Sequence, residues 1–503
     1  MQNTVCSNVR TTHIVIIAAE TTGFSMSRQI FYQPDQGWVG DVIPFTRDGE
    51  IMLFYLDEQR KGSQVGMGWR LVGTRDLQNY RDYGLALHNG SNEDKDFNAY
   101  TGSVVEDTDG TTHLFYTGVN PGIRNQRNQP IQWVMHAISN GSLTDWDKIP
   151  ADAFCATEGY DTSDWRDPFV FFNESDQLWH MLIAARHESG PSRRRGLIAQ
   201  CVSEDLHTWR AIEPIWAPDR FITHECPDLF RWGEWWYLVY SEFSERFCTR
   251  YRIARSLQGP WLDPPDSDSI DARAFYAAKS VEWHNRRFFF GWIPTREGNR
   301  DDGAWQWAGS MSVLEAIQKK NGSLSFRIPH EIKELFDSPL SMVKFEPDMN
   351  LKRDDGMWVT MSSDELPSTC LVHIEFILHE HQPDNLAFLI RSSADGDQAY
   401  SLRLEPAYSR LVLDHWPRPT TGREQWQISG DIPHFIDSER PCDLSSGKHD
   451  IDILLDKDIC LCNVDGSTTL HSRLENPMGD YFGISVTDGE ATITSAKISR
   501  VRQ

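Results

Sequence analysis

The chain has 503 residues, of which 39% are hydrophobic and 24% are charged, so it can form two or three globular domains with large cores. Its formal net charge of −24 argues against nucleic acid as a partner, because phosphate contacts require clustered Lys and Arg, and it suits a neutral substrate. No segment approaches the roughly 18 consecutive apolar residues of a membrane helix, so we expect no membrane partner either.

Residues 1–27 precede any recurring pattern and are predicted as an N-terminal extension, a candidate disordered segment. From residue 28 to residue 330 one pattern recurs: an apolar strand, a hairpin turn, an aromatic strand, and a third strand that ends in a polar turn. The copies follow at intervals of about 50 to 66 residues, which is typical of β-propeller blades. We therefore predict a five-bladed β-propeller over this range. The first strands of the copies begin at Asp41, Thr101, Asp167, Glu225 and Tyr276.

The pattern changes after residue 330. Residues 331–350 are predicted as a linker and residues 351–503 as a β-sandwich, because strands of alternating polarity continue there without a helical period. No catalytic constellation stands out in this second region. The predicted fold class is all-β, a five-bladed β-propeller followed by a C-terminal β-sandwich.

Three of the five copies begin with an acid, namely Asp41, Asp167 and Glu225. The first strands of a propeller surround one central funnel, so we expect these acids to meet there. Two carboxylates that serve as nucleophile and general acid are the machinery of a glycosidase. The 19 Trp, 14 Tyr and 25 Phe also suit a binding site for a ligand with many hydroxyls. The alternative is that each acid caps a turn or forms an ion pair.

Motifs on these strands resemble glycoside hydrolase family 32, the invertases, inulinases and levanases. The segment WRDPFVFF (residues 165–172) is similar to the Arg-Asp-Pro motif of that family, and HECPDLF (residues 224–230) is similar to its Glu-Cys motif. The order and spacing match over residues 30–330, and the C-terminal region resembles the family's sandwich. Further similarity lies in GWVGDVIPF (37–45), YTGSVV (100–105) and FYAAKS (275–280).

The resemblance implies a retaining glycoside hydrolase that cleaves terminal β-D-fructofuranosides, sucrose or fructans, with fructosyl transfer as a further outcome. Asp41 would be the nucleophile, and Glu225 would be the general acid and then the base. Asp167 would bind fructose hydroxyls and stabilise the oxocarbenium-like transition state. We expect no cofactor and no metal ion, because the sequence shows no metal cluster, phosphate loop or nucleotide motif.

Four further residues are expected to bind the substrate. Arg166 would keep the neighbouring Asp167 carboxylate ionised and contact a sugar hydroxyl. Ser103 and Trp292 match positions that line the fructose pocket of the family, and Trp38 would form a wall. For the two tryptophans the alternative is packing in the propeller core.

The first motif departs from the family pattern. Gly40 stands directly before Asp41 in place of the family's Asn, Val42 and Ile43 replace Pro-Asn, and Leu56 replaces a common Gln. The lost amides would contact sugar hydroxyls, so we expect the furanoside chemistry to remain and the choice of sugar to differ. Loops at residues 60–69, 122–130 and 296–305 are expected to set that choice.

Two other functions fit parts of the pattern. An inverting furanosidase of the arabinanase or xylosidase type also uses two Asp and one Glu on a propeller. A carboxylate separation of roughly 6.5 to 9.5 Å, against about 5 Å for retention, would identify it. A non-catalytic fructan-binding protein is the second alternative, although all three acids are present.

The nine cysteines lack metal-type spacing and are expected as free thiols, which favours a cytoplasmic location. We also expect no signal peptide. Four Asn-X-Ser sequons argue the other way, although Asn-Gly is also the dipeptide that tight hairpins prefer. The sequons lie at Asn89, Asn140, Asn173 and Asn321. The sequence does not predict an oligomeric state.

Overall fold

The computed structural model describes residues 26–60, 65–139, 141–340, 348–416 and 436–502. Within these ranges strands dominate, and no helix has the length and apolar character needed to cross a membrane. The predicted extension, residues 1–27, lies outside the described residues except for its last two. The helical elements are α1 (His330–Lys333) and the 3-10 turns Pro150–Asp152, Ser192–Arg194, Glu297–Asn299 and Pro406–Tyr408.

The N-terminal region is built from short antiparallel strands. Its second strands are apolar along nearly their whole length because neighbouring blades cover both of their faces. The strands are β1 (Met26–Arg28), β2 (Trp38–Arg47), β3 (Glu50–Glu58), β4 (Trp69–Thr74), β5 (Asn79–Leu87), β6 (Asn98–Glu106), β7 (Thr112–Arg124), β8 (Pro130–Ser139), β9 (Asp147–Lys148), β10 (Phe154–Cys155), β11 (Tyr160–Asn173), β12 (Leu178–His187), β13 (Gly196–Ser203), β14 (Arg210–Trp216), β15 (Glu225–Trp232), β16 (Trp235–Glu242), β17 (Cys248–Ala254), β18 (Tyr276–Trp283), β19 (Arg286–Arg296), β20 (Trp305–Gln318) and β21 (Leu324–Arg327).

These strands pair as five consecutive antiparallel groups, which we call blades one to five. The first strands of the blades contact one another in cyclic order, and the first strand of blade five returns to that of blade one. Val39 pairs with Gly309, which joins blade one to blade five, and β1 extends blade one along β5. The first strands therefore form a closed ring. The blades are β2–β5, β6–β10, β11–β14, β15–β17 and β18–β21.

The C-terminal region is a second all-β unit, and the predicted linker before it contains α1 and a short strand. Residues 341–347 of that linker lie outside the described residues. The strands are β22 (Ser338–Pro339), β23 (Met349–Met361), β24 (Thr369–Leu378), β25 (Asn385–Ser392), β26 (Ala399–Glu405), β27 (Arg410–Trp416), β28 (Ile436–Pro441), β29 (Gly447–Asp456), β30 (Ile459–Val464), β31 (Thr468–Arg473) and β32 (Tyr481–Arg500).

The long strand β32 belongs to both layers of this unit. Its residues 481–487 pair with β25, whereas its residues 491–500 pair with β24. Between these parts Gly489 has a φ of +151°, and a Cβ there would lie 2.4 Å from the Cα of Pro383. β25–β28 extend one layer, and β24 with β29–β31 extends the other. Apolar side chains of both layers form one core.

The second unit is bonded to blade five of the propeller. His471 of β31 is fully buried, its Nδ1 lies 3.0 Å from Asp271 Oδ2, and its Nε2 lies 2.8 Å from Ser312 Oγ. The Arg473 Nε–H donates to the carbonyl oxygen of Pro294 at 2.7 Å. Buried polar groups require such partners, so these bonds fasten the sandwich to the propeller.

Candidate active site

A cavity of about 560 Å³ opens among the first strands of the blades. The first strand of every blade contributes at least one lining residue, and the residue at the start of each predicted copy is among them; three of these five are the predicted catalytic acids. The cavity therefore receives its polar groups from the whole ring. The five residues are Asp41, Thr101, Asp167, Glu225 and Tyr276.

Each first strand carries a β-bulge close to its cavity residue. The bulges interrupt the pairing with the second strand in all five blades, and Asp167, Cys226 and Ala277 have positive φ angles of 59°, 50° and 52°. A bulge bends the strand and turns a side chain away from the sheet, which aims these residues into the funnel. The register shifts lie at Val39/Val42, Tyr100/Gly102, Arg166/Phe169, Glu225/Asp228 and Tyr276/Lys279.

The Asp41 carboxylate is held by donors from three other blades. The Trp292 Nε1–H donates to Oδ1 at 2.8 Å, the Thr101 hydroxyl donates to Oδ2, and the Cys226 thiol lies 3.6 Å from Oδ2. Burial and the charge of Asp167 raise the pKa of Asp41 to about 6, although the bonds from Thr101 and Trp292 oppose this shift. The carboxyl is fixed in one orientation and titrates close to neutral pH.

Asp167 is 4% exposed and is hydrogen-bonded to residues of two neighbouring blades. Its Oδ2 accepts the backbone N–H of Cys226 at 2.9 Å, and its own N–H donates to the Thr117 hydroxyl at 2.8 Å. That hydroxyl in turn donates to the carbonyl oxygen of Thr101 at 3.0 Å. These bonds connect blades two, three and four directly around the carboxylate.

Both oxygens of Glu225 have a donor. The Tyr276 O–H donates to Oε2 at 2.7 Å, and the Arg166 Nη2–H donates to Oε1 at 3.0 Å. Burial raises the pKa of Glu225, and Arg166 opposes that shift. Phe247 stacks on the Tyr276 ring with 4.2 Å between centroids, so the ring is fixed behind the carboxyl group.

Arg166 lines the cavity, as expected of a substrate-binding residue, but its closest acid is not Asp167. Its Nη1 lies 2.6 Å from Asp164 and its Nη2 lies 3.0 Å from Glu225, whereas its Nε is 3.8 Å from Asp167. Burial disfavours its charge, yet Glu225, Asp164 and Asp167 outweigh burial and raise the pKa of Arg166. The guanidinium therefore forms ion pairs with Asp164, Glu225 and Asp167, and the predicted pair with Asp167 is the longest of the three.

Three predicted substrate-binding residues are not among the described residues that line the cavity. Trp292 is fully buried behind Asp41, which it holds by its indole N–H. Ser103 is buried where β6 packs on β11, and its hydroxyl accepts the N–H of Val170 at 3.0 Å. Trp38 has the Arg60 guanidinium 4.7 Å above its ring. Trp292 and Ser103 are therefore positioning or packing groups, because protein covers them, whereas Trp38 is half-buried outside the cavity lining.

Trp307, which the sequence interpretation missed, lines the cavity and is 37% exposed. A Cβ at Gly40 would lie 2.4 Å from its ring and 2.9 Å from the Cβ of Leu56. Gly40 and Leu56, which both depart from the family motif, are therefore neighbours in space. A residue larger than Gly at position 40 would displace the indole of Trp307. The sequence did point to the neighbouring loop, residues 296–305, as a determinant of the sugar, but it did not identify Trp307 itself.

Thr101 and Tyr276 were also missed as site residues. Both begin the first strand of a predicted blade, at the same position as the three acids, so the repeat itself was a sufficient signal. Two groups of His and Asp side chains in the described part of the chain could hold a metal ion, and neither lines the cavity. They are His136, Asp152 and His207, and His373, Asp450 and Asp452.

Residues 31–327 match the N-terminal domain of glycosyl hydrolases family 32. The chain is 24% identical over 320 residues to a beta-fructofuranosidase, insoluble isoenzyme, of Arabidopsis thaliana, covering 57% of this chain and 53% of the plant protein. It is 21% identical to a levanbiose-producing levanase of Bacillus subtilis, over 93% of this chain and 89% of that protein. The chain thus matches about half the length of the plant relative.

The fold is similar to that of fructan 1-exohydrolase IIa from Cichorium intybus. The TM-score is 0.71 at 18% sequence identity, and the likeness covers 95% of this chain and 98% of that structure. The predicted all-β fold, a propeller followed by a β-sandwich, is confirmed. The family match covers more than half of the chain and includes all five blades. The chain belongs to glycosyl hydrolases family 32.

Proposed function

We propose that this protein is a retaining glycoside hydrolase that cleaves terminal β-D-fructofuranosides. The observation that carries the proposal is the convergence of Asp41, Asp167 and Glu225 on one cavity, each held by donors from other blades. The family match and the relatives that are named beta-fructofuranosidase and levanase support a fructoside as substrate.

In the first step the ionised Asp41 attacks the anomeric carbon of the fructosyl unit. Glu225 donates its proton to the leaving oxygen as the glycosidic bond breaks, and a covalent fructosyl-enzyme forms. In the second step Glu225 takes a proton from water, whose oxygen attacks the same carbon and releases Asp41. Asp167 accepts hydrogen bonds from sugar hydroxyls and stabilises the positive charge of the transition state.

The environment of Glu225 suits both of its roles. Burial favours the protonated acid before the first step, when a proton must be given away. After that step Arg166 and Tyr276 stabilise the carboxylate by charge and by a hydrogen bond. Trp307 presents a partly exposed aromatic face at the wall, a surface on which the apolar side of a sugar can pack.

Sugar release from sucrose, 1-kestose, inulin, levan and arabinan oligosaccharides tests the substrate class. We expect fructose from the fructosides and no arabinose. With methanol added as acceptor, we expect methyl β-D-fructofuranoside, identified by ¹³C NMR, because two inversions retain the anomeric configuration. Release from arabinan alone would support the inverting furanosidase, and binding without release from any sugar would support the fructan-binding alternative.

The pH profile should follow the ionisation of Asp41. Because the raised pKa keeps this carboxyl protonated up to about pH 6, kcat/KM should fall about tenfold for each pH unit below that value. Trp292→Phe removes a donor that stabilises the carboxylate, so it should move this acidic limb to higher pH. Initial rates on sucrose between pH 3.5 and 8 measure the acidic limb of both proteins.

Trp283→Phe is the matched control for this shift. Its indole N–H, which also comes from blade five, donates to an oxygen of blade one, the carbonyl of Gly49 at 3.0 Å, but Trp283 does not line the cavity. The limb should not move in this variant. An unchanged acidic limb in folded Trp292→Phe would contradict the assignment of the limb to Asp41.

A further inference from the structure

Five His and Asp side chains form a connected row between blades two and three. His113 of β7 has Nε2 3.2 Å from Asp107 Oδ2 and Nδ1 2.9 Å from His136 Nε2 of β8. His136 Nδ1 lies 2.7 Å from Asp152 Oδ2, and His207 Nδ1, in the loop after β13, lies 2.7 Å from the same oxygen. None of these residues lines the cavity. The row therefore belongs to a different site.

The hydrogen bonds in the row determine where the protons lie. An ionised Asp107 can only accept, so neutral His113 carries its proton on Nε2 and accepts on Nδ1. His136 must then donate from Nε2, which leaves its Nδ1 with a lone pair. That lone pair faces the Asp152 carboxylate at 2.7 Å, and two acceptors at this distance repel unless a proton or a cation lies between them.

An extra proton on His136 is the less favourable of these two choices. His113 and His136 are 4% and 1% exposed, and Phe115 stacks on His136 with 4.3 Å between centroids. Burial among rings disfavours an imidazolium. The described residues include no Lys or Arg in an ion pair with Asp107 or Asp152, so the two carboxylates lack a fixed cation.

The second group of His and Asp side chains differs from this row because a lysine already neutralises part of its charge. His373, Asp450 and Asp452 also come close together, but Lys333 Nζ lies 2.6 Å from Asp452 and already supplies the positive charge. Both groups have the residue types of a metal site. Among the described residues, only the row between blades two and three lacks a Lys or Arg that would supply a counter-charge. This contrast favours the row between blades two and three.

We propose that His136, Asp152 and His207 bind a divalent transition-metal ion, with Zn²⁺ as the best fit, and that the ion fastens blade two to blade three. Their three donor atoms lie within 4.8 Å of one another, and two imidazole nitrogens with one carboxylate oxygen are a donor set that Zn²⁺ prefers. On binding, neutral His207 changes tautomer, so that Nε2 carries the ring proton and Nδ1 gives its lone pair to the ion. Asp107 and His113 orient His136 from behind, as the outer partners of metal-binding histidines do.

Metal binding can be measured on the metal-stripped protein by adding ZnCl₂ and recording Tm. We expect Zn²⁺ to raise Tm, because an ion that binds only the folded chain stabilises it. His207→Ala, at a side chain that is 46% exposed, should weaken Zn²⁺ binding by more than the roughly 10- to 100-fold that the loss of an outer partner costs, and should abolish most of the Tm shift. His330→Ala, also at an exposed histidine, should keep the full shift.

Co²⁺ absorption provides a readout that does not depend on stability. One Co²⁺ per wild-type chain should give a visible d–d band that Zn²⁺ displaces, and the band should be absent in His207→Ala. No Zn²⁺-dependent rise of Tm in the wild type, or an equal rise in His207→Ala, would overturn the proposal. In the first case a shared proton joins His136 to Asp152, and in the second case the ion binds elsewhere.

Discussion

Replacing Asp41 with Asn is expected to lower kcat on sucrose by roughly 10⁴- to 10⁶-fold, the range seen when an enzyme loses its nucleophile. The amide has nearly the same shape as the carboxylate and can still contact Trp292 and Thr101, so the fold should remain. It cannot attack the anomeric carbon, and the covalent intermediate does not form. Initial rates at pH 7 and sucrose binding by calorimetry separate lost chemistry from lost affinity.

A smaller side chain at the same position gives a control for this result. In Asp41→Ala, added azide can enter the vacated space and attack the anomeric carbon directly, so we expect partial recovery of rate and a fructosyl azide of inverted configuration. Asp35→Asn, at an acid outside the cavity lining, should leave kcat within about twofold. A folded Asp41→Asn protein that keeps a tenth of the wild-type rate would refute the nucleophile assignment.

Replacing Glu225 with Gln is expected to lower kcat on sucrose about 10²- to 10⁴-fold, the usual contribution of a general acid and base. The loss should depend on the leaving group. A 4-nitrophenoxide leaves without a proton, so with 4-nitrophenyl β-D-fructofuranoside the first step should be nearly normal and the intermediate should accumulate as a burst. Stopped-flow absorbance at 400 nm measures that burst.

The variant should also lose the basic limb of the pH profile, because the group that titrates there is gone. Glu234→Gln, at a surface side chain that is 84% exposed, is the control and should retain both the limb and the rate. Equal losses on sucrose and on the nitrophenyl substrate would contradict the acid–base role. In that case Glu225 would act by binding the sugar.

The fold was predictable because its signals are local and repeated. The hairpin turns and apolar strands recur at a regular interval, and each copy makes the assignment of the others more secure. Three copies begin with an acid, and propeller geometry then predicted that these acids meet at the centre. Asp41, Asp167 and Glu225 line the cavity as that reasoning predicted, although their separate roles await the variants described above.

The missed features depend on the path of the chain in three dimensions. Trp307 reaches the cavity from the beginning of β20, and its place beside Gly40 depends on contacts between blades one and five. In the sequence, 251 positions separate Trp292 from Asp41, although the two side chains are hydrogen-bonded. The role of Trp292 as a donor behind the acid therefore does not follow from a motif. The same is true of His207 and Asp152, whose proximity depends on how two blades pack.

The ring of bulged first strands also bears on how this protein loses activity. Each of the three predicted catalytic acids is held by a donor from another blade, so no blade alone contains the proposed arrangement. Local opening of any one blade would release at least one of these groups while most secondary structure remained. If the proposed hydrolysis is correct, we therefore expect it to disappear before circular dichroism reports unfolding, so that the rate of hydrolysis reports whether the ring is intact.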